Sequence, residues 1–291
     1  MDPDILRVTS ADGVGLVVHD LGGGGRPLLL SHATGFHGCV LAPLAGELAD
    51  EFHSWSLDYR GHGDSDDPPT DIGDWSRFGD DAVAAAEALE LEGALGFGHS
   101  MGGAALLMAE LARPGTFAGL VLFEPIAFPR DPDRAVDGPT PMVEAARRRR
   151  TVFADRDEAF DNNAGKPPLD LLTPAALRAY VDHGFVDRPD GTVELKCNPE
   201  HEARIFEGGA EQDLFDRLGG VACPVLVLTG RFEGNPPGAL GPVVADALPN
   251  GQALTLPQLS HFGPMEDPAA VAAEIRAFAG ARPAGARPPT L

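Results

Sequence analysis

A chain of 291 residues, 43% of them apolar, can bury a sizeable core as one large α/β unit or as a core with an inserted subdomain, and this composition excludes wholesale disorder. The 44 acidic and 22 basic residues leave a formal net charge of −22, which repels nucleic acid and anionic membranes and removes nucleic-acid binding from the possible functions. Cys39, Cys197 and Cys223 are too few and too scattered for a disulfide framework or a CxxC metal site, so they read as free thiols. "MDPDILRVTS" has neither a basic region nor an apolar run, and no later apolar stretch approaches the roughly 20 residues a membrane span needs. A soluble, cytoplasmic protein with no membrane partner is expected.

In chain order, the Gly-rich "LGGGGRP" between the apolar runs "LVVHDL" and "LLLSH" reads as a hairpin turn, and it is no phosphate loop because no GKS or GKT follows. "SWSLDYRGHG" is an apolar run that ends in a Gly-rich loop. In "DWSRFGDDAVAAAEALELEG", Trp75, Phe78, Val83, Ala86 and Leu89 recur near helical spacing, with Gly93 placed to stop the helix. "ALGFGHSMGGAALLMAELARPG" passes from a short strand through a Gly-flanked serine into an apolar helix that halts before Pro114. "GLVLFEP" and "CPVLVLTG" are short continuous apolar runs, the pattern of strands buried on both faces. Near the end, "EDPAAVAAEIRAFAG" offers Asp267 as N-cap, Pro268 at the first helical position and Gly280 as stop.

The roughly 95 residues between "FEPIAFP" and "CPVLVL" are helix-rich, with "PMVEAARRRRTVFADRDEAF" and "TPAALRAYVDHG" both reading as helices, the second capped by Thr173. So long an insertion between buried strands is no plain loop. It reads as a cap over the carboxyl edge of the sheet. The resulting organisation is a core of residues 1–126 and 222–280, a helical cap of residues 127–221, and a disordered tail of residues 281–291.

"GHSMGG", Gly98 to Gly103, carries the most chemistry. G-x-S-x-G between strand and helix is a nucleophile elbow: the small Gly98 and Gly102 relieve crowding around a strained serine, and the N-terminus of the following helix favours a developing oxyanion. With "SHATGFHG", "DYRGHGDS" and "QLSHFGPMEDP" standing at matching places, the chain resembles the α/β-hydrolase family over nearly its full length. The resemblance implies an α/β fold with a mostly parallel central sheet flanked by helices. It also implies Ser100 as nucleophile, His261 as general base, and an oxyanion hole made by the backbone N–H groups of Met101 and Thr34. Ala33 departs from the family's usual glycine beside Thr34. His32, His37 and His62 are expected to hold loops together, and His99, next to the nucleophile, to point away from it.

Two glutamates compete to complete the triad. Glu233, in "GRFE" after the strand that follows the cap, occupies the place the family most often gives its acid and is the leading candidate. Glu124, in "LFEP" after the preceding strand, is the competitor, because some relatives take their acid from there. Either would fix the histidine tautomer and stabilise the imidazolium.

The serine nucleophile argues against dehalogenase and epoxide hydrolase chemistry, whose members in the family use an aspartate at the elbow. What remains is a serine hydrolase cleaving a small-molecule carboxylic ester, lactone or thioester through an acyl-enzyme on Ser100. Two alternatives stay open: a carbon–carbon bond hydrolase or cofactor-free perhydrolase on the same triad, and a non-catalytic small-molecule binder or sensor. Neither a metal-ligand set nor a dinucleotide fingerprint is present, so no cofactor and no metal are implied. Of the four arginines in "ARRRRTVF" most must face solvent, since consecutive residues point around a helix. Tyr180, His183, Lys196 and His201 either line the pocket or tie the cap to the core.

Overall fold

A computed structural model describes residues 3–91, 93–129, 140–234 and 236–281. The first half of the chain opens with three strands and then alternates helix and strand. Strands β1 (Asp4–Thr9), β2 (Gly15–Gly23), β3 (Arg26–Ser31), β4 (Phe52–Asp58), β5 (Ala94–His99) and β6 (Phe117–Phe123) are connected in part by helices α1 (Ala42–Leu48), α2 (Ser76–Ala88) and α3 (Met101–Ala112). The insertion then contributes α4 (Pro141–Arg147), β7 (Val152–Phe153), α5 (Arg156–Ala164), α6 (Pro174–Gly184), β8 (Phe185–Asp187), β9 (Val193–Leu195), α7 (Pro199–Gly208) and α8 (Leu214–Arg217). The core resumes with β10 (Val225–Thr229), α9 (Pro236–Ala247), β11 (Gly251–Thr255), α10 (Gly263–Glu266) and α11 (Pro268–Gly280).

Eight strands form one sheet in the order β1-β2-β4-β3-β5-β6-β10-β11, antiparallel at the β1 and β2 end and parallel from β4 onward. The strands read as continuous apolar runs because both faces are covered. In β10, Val225 and Val227 join the core on the side of α2 and α3, while Leu226 and Leu228 join the opposite core, where α1 and α11 pack; β3 and β6 alternate in the same way. Thr173 and Asp267 cap α6 and α11 as expected, accepting from the N–H groups of Ala176 and Ala270.

Four expectations need correction. "LGGGGRP" does not close a hairpin: β4 lies between β2 and β3, pairing antiparallel with one and parallel with the other. The turn is tight for another reason, since a Cβ on Gly23 would lie 3.1 Å from the Ala49 Cα, at a φ of +96°. "PMVEAARRRRTVFADRDEAF" is no single helix. It breaks after Arg147 into β7 and restarts at Arg156, because Asp155 caps a new helix by accepting from the Glu158 N–H. β7, β9 and β8 pair as a small antiparallel sheet, so the insertion is not purely helical. The stop expected at Gly93 comes earlier, at Ala88, with Glu90 at φ +52°. Residues 282–291 of the expected tail lie outside the described residues.

The three cysteines are buried and form no disulfide. No helix among the described residues is long and apolar enough to cross a membrane.

Candidate active site

The strand order decides which loops meet. From β3 the chain moves outward to β4 and then crosses back over β3 to β5, so the carboxyl ends of β3 and β5 bound a crevice where the winding reverses. The segment after β3 carries His32 to Gly38, and the one after β5 carries Ser100. The contact is close: a Cβ on Gly102 would lie 2.6 Å from the His32 carbonyl oxygen, so only glycine lets the elbow and the loop approach.

Ser100 sits at φ +55° and ψ −115°, a backbone conformation that costs a non-glycine residue energy and is held here by the surrounding chain. Its N–H donates to the Phe123 carbonyl, and its own carbonyl accepts from Ile126 and Ala104. Met101 begins α3, so its N–H belongs to the first turn, whose donors have no partner within the helix. Ser100 is 7% exposed and Thr34 8%.

Of the two competing glutamates, the structure joins Glu124 to the histidine. Glu124 is fully buried, at φ +48° directly after β6. Its Oε2 lies 2.5 Å from His261 Nδ1, and its Oε1 accepts from the Gly230 N–H at 2.7 Å. A carboxylate only accepts, so the proton resides on Nδ1 and the Nε2 lone pair is left available as a base. Glu233, the leading expectation from sequence, is exposed on the loop after β10 and makes no hydrogen bond or ion pair among the described residues. The reason is strand order: β6 adjoins the serine's strand, whereas β10 lies one strand further out.

His99 donates from Nε2 to the His261 carbonyl at 2.8 Å, tying the end of β5, just before Ser100, to the loop that carries His261. Ser260 and Glu266 brace the same loop, the Glu266 carboxylate accepting from the Ser260 N–H and hydroxyl. Neither partnership is signalled by local sequence. The other histidines hold loops, as expected. His32 Nδ1 donates to the Ala33 carbonyl and its Nε2 accepts from the Tyr59 N–H; His62 Nε2 accepts from the Gly35 N–H; His37 Nε2 donates to the Tyr180 carbonyl.

The polar side chains of "DYRGHGDS" are bonded within the fold. Asp58 accepts from the N–H groups of Gly38 and Asp64 and from His19. Arg60, 1% exposed, pairs with Asp81 and Asp12. Ser65 links the Val17 N–H to the Asp58 carbonyl.

Burial first, and then the nearby His62, pushes His32 down to about 3; burial likewise pushes His37 down to about 4. Both are ordinary histidines near 6.5 in the unfolded chain. Between pH 6.5 and about 4 the unfolded chain therefore takes up protons that the folded one refuses, and stability falls as pH drops, by up to about 1.4 kcal/mol per pH unit for each histidine. Urea midpoints at fixed ionic strength should be level above pH 7 and decline from pH 6.5 to 4.5, before most carboxylates titrate. A level profile down to pH 4.5 would show that these imidazoles are not held neutral.

A pocket of about 210 Å³ opens beside His261, lined also by Leu171, Arg231, Glu233, Gly234, Ser260 and Phe262. Glu233 is thus at the rim of the site and not within its hydrogen-bonded chain. A larger open concavity of about 790 Å³, between β1 and the helices α2 and α3, touches none of the motif residues. Lys196 pairs with Asp64 and His201 with Asp67, both on the loop after β4, so these two tie the segment between β6 and β10 to that loop. Of the four arginines, Arg147, Arg148 and Arg150 pair with exposed or half-exposed glutamates at the surface. Arg149 turns inward, toward Glu202 and Tyr180.

Comparison with known proteins places the fold. The chain is 27% identical over 271 residues to a non-heme chloroperoxidase of Streptomyces lividans, covering 87% of this chain and 92% of that protein. It is 28% identical over 250 residues to a pimeloyl-[acyl-carrier protein] methyl ester esterase of Chromobacterium violaceum, covering 82% and 88%. Among solved structures, an E-2-(acetamidomethylene)succinate hydrolase superposes with a TM-score of 0.76 at 22% identity, over 95% of this chain and all of that one. A thermophilic esterase from Thermogutta terrifontis superposes with a TM-score of 0.70 at 24% identity, over 96% and 98%. Residues 10–274 match the sequence profile of the alpha/beta hydrolase family, and the chain belongs to that family.

Proposed function

We propose that the protein is a serine hydrolase of carboxylic esters, lactones or thioesters included, acting through an acyl-enzyme on Ser100. The observation that carries this reading is the buried Glu124 carboxylate 2.5 Å from His261 Nδ1, on a loop fastened to the strand of a strained serine. Ser100 attacks the carbonyl, and His261 Nε2 takes the hydroxyl proton. The N–H groups of Met101 and Thr34 stabilise the oxyanion. His261 then returns the proton to the leaving group, and water activated by the same nitrogen cleaves the acyl-enzyme. Glu124 holds the tautomer and balances the imidazolium; it replaces Glu233 in that role.

An esterase among the relatives supports this chemistry. The similarity to a chloroperoxidase keeps a cofactor-free perhydrolase as a second reading, in which peroxide in place of water resolves the same acyl-enzyme. The test is a stopped-flow burst with p-nitrophenyl acetate, followed by mass spectrometry of the quenched enzyme. One acetyl group on the peptide containing Ser100 is expected, and absence of both burst and turnover across p-nitrophenyl esters of increasing acyl length and a set of lactones would overturn the reading. Adding peroxide to the same reaction separates the two fates of the acyl-enzyme.

A further inference from the structure

The loop from His32 to Gly38, which supplies the Thr34 donor in the proposed mechanism, is held from two sides. On the core side, Gly35 donates to His62 Nε2 at 3.1 Å and Gly38 to Asp58 at 2.6 Å. The other side belongs to the insertion. Gly35 lies at φ +79°, and a Cβ there would sit 2.9 Å from the Glu202 carboxyl carbon and 3.2 Å from Arg149 Nη1. The Glu202 carboxylate, on α7, is thus pressed against the residue that follows Thr34, with no room for even a methyl group between them.

Glu202 is itself fixed. Its Oε2 accepts from Arg149 Nη1 at 2.6 Å, and Glu202 is only 7% exposed. The other arm of Arg149 donates to the Tyr180 hydroxyl on α6. Tyr180 returns to the same loop, its carbonyl accepting from His37 and its ring meeting those of Phe36 and His37. Three separate pieces of the insertion therefore converge on Gly35, Phe36 and His37 of the core. The convergence lies beside the donor of the oxyanion hole, where a displacement of a fraction of an ångström changes the donor's reach.

We propose that Glu202, locked by Arg149, is a positioning residue: it presses Gly35 into the conformation that aims the Thr34 N–H, so that the oxyanion hole is complete only when the insertion is seated. This inference rests on the proposed serine-hydrolase reading. It deepens that reading by making part of the catalytic competence a property of the cap. Its signature is selective, because a carboxylate acting on the donor loop affects the tetrahedral oxyanion more than the ground-state ester.

The experiment compares wild type with Glu202→Gln, Arg149→Lys and Gly35→Ala, using a short-chain p-nitrophenyl ester and butylboronic acid, whose serine adduct mimics the tetrahedral state. Each variant is expected to lose about 5- to 50-fold in kcat with KM within threefold, and the boronate Ki should weaken by the same factor as kcat/KM. Glu202→Asp, which keeps the charge but draws it back, should fall between wild type and Glu202→Gln. Gly35→Ala strains the donor loop directly, at a φ of +79° that alanine disfavours, so it sets the loss to expect from a displaced donor, and the milder Glu202→Asp carries the test if the other insertion variants melt early. Variants that fold and match wild type in kcat and boronate Ki overturn the inference, as does a loss confined to KM. If wild type itself neither turns over esters nor binds the boronate, the serine-hydrolase reading fails first.

Discussion

Replacing Ser100 with alanine should reduce the turnover of an activated ester by about 10⁵- to 10⁶-fold in kcat, with any residual rate coming from the donors and the pocket alone. The argument is one of position. Ser100 stands at φ +55° between Gly98 and Gly102, and the loop carrying His261 is hydrogen-bonded to the residue before it through His99. Alanine keeps the strained backbone and removes only the hydroxyl, so the melting temperature should stay close to that of wild type while the acetyl adduct disappears from the mass spectrum. Activity within tenfold of wild type would mean that water attacks directly or that another nucleophile acts, and either would overturn the acyl-enzyme.

The second large effect separates the two glutamates. Glu124→Gln should lower kcat by about 10³- to 10⁴-fold, equivalent to about 4–5.5 kcal/mol, whereas Glu233→Gln should remain within twofold. The Glu124 Oε1 accepts from Gly230, and a glutamine would keep that bond by placing its carbonyl there. Its NH₂ would then face His261 Nδ1 and donate to it. The ring proton is forced onto Nε2, the nitrogen that must take the serine proton, and the base is lost although the geometry survives. Paired kinetics with thermal melts decide the point, and a larger loss in Glu233→Gln than in Glu124→Gln would reverse the assignment.

The sequence disclosed most of this architecture, and where it failed the cause was a distance that periodicity does not encode. "GHSMGG" marked the elbow because a strained serine needs small residues at fixed spacing, whereas "QLSHFGPMEDP" was legible only through its resemblance to the family's histidine loop. The caps at Thr173 and Asp267 were legible from local spacing, being contacts over three residues. Strand order was not legible, since apolar runs do not reveal their neighbours. "LGGGGRP" joins strands separated by β4, and the choice between Glu124 and Glu233 turned on which strand adjoins β5. Arg149 and Glu202 stand 53 positions apart, so the one inward arginine in a run of four could not be told from the other three.

Taking Glu124, directly after β6, as the acid bears on how such a hydrolase can diversify. In the proposed mechanism the nucleophile, oxyanion loop and acid all precede the segment that joins β6 to β10, and only the base follows it. In that mechanism the stretch from Arg231 to Gly234 is given no chemical step, and Arg231, Glu233 and Gly234 border the pocket beside His261. Substitutions there can alter which molecules are admitted without altering how they are cleaved, which makes this short loop the natural place to begin retargeting the enzyme by saturation mutagenesis.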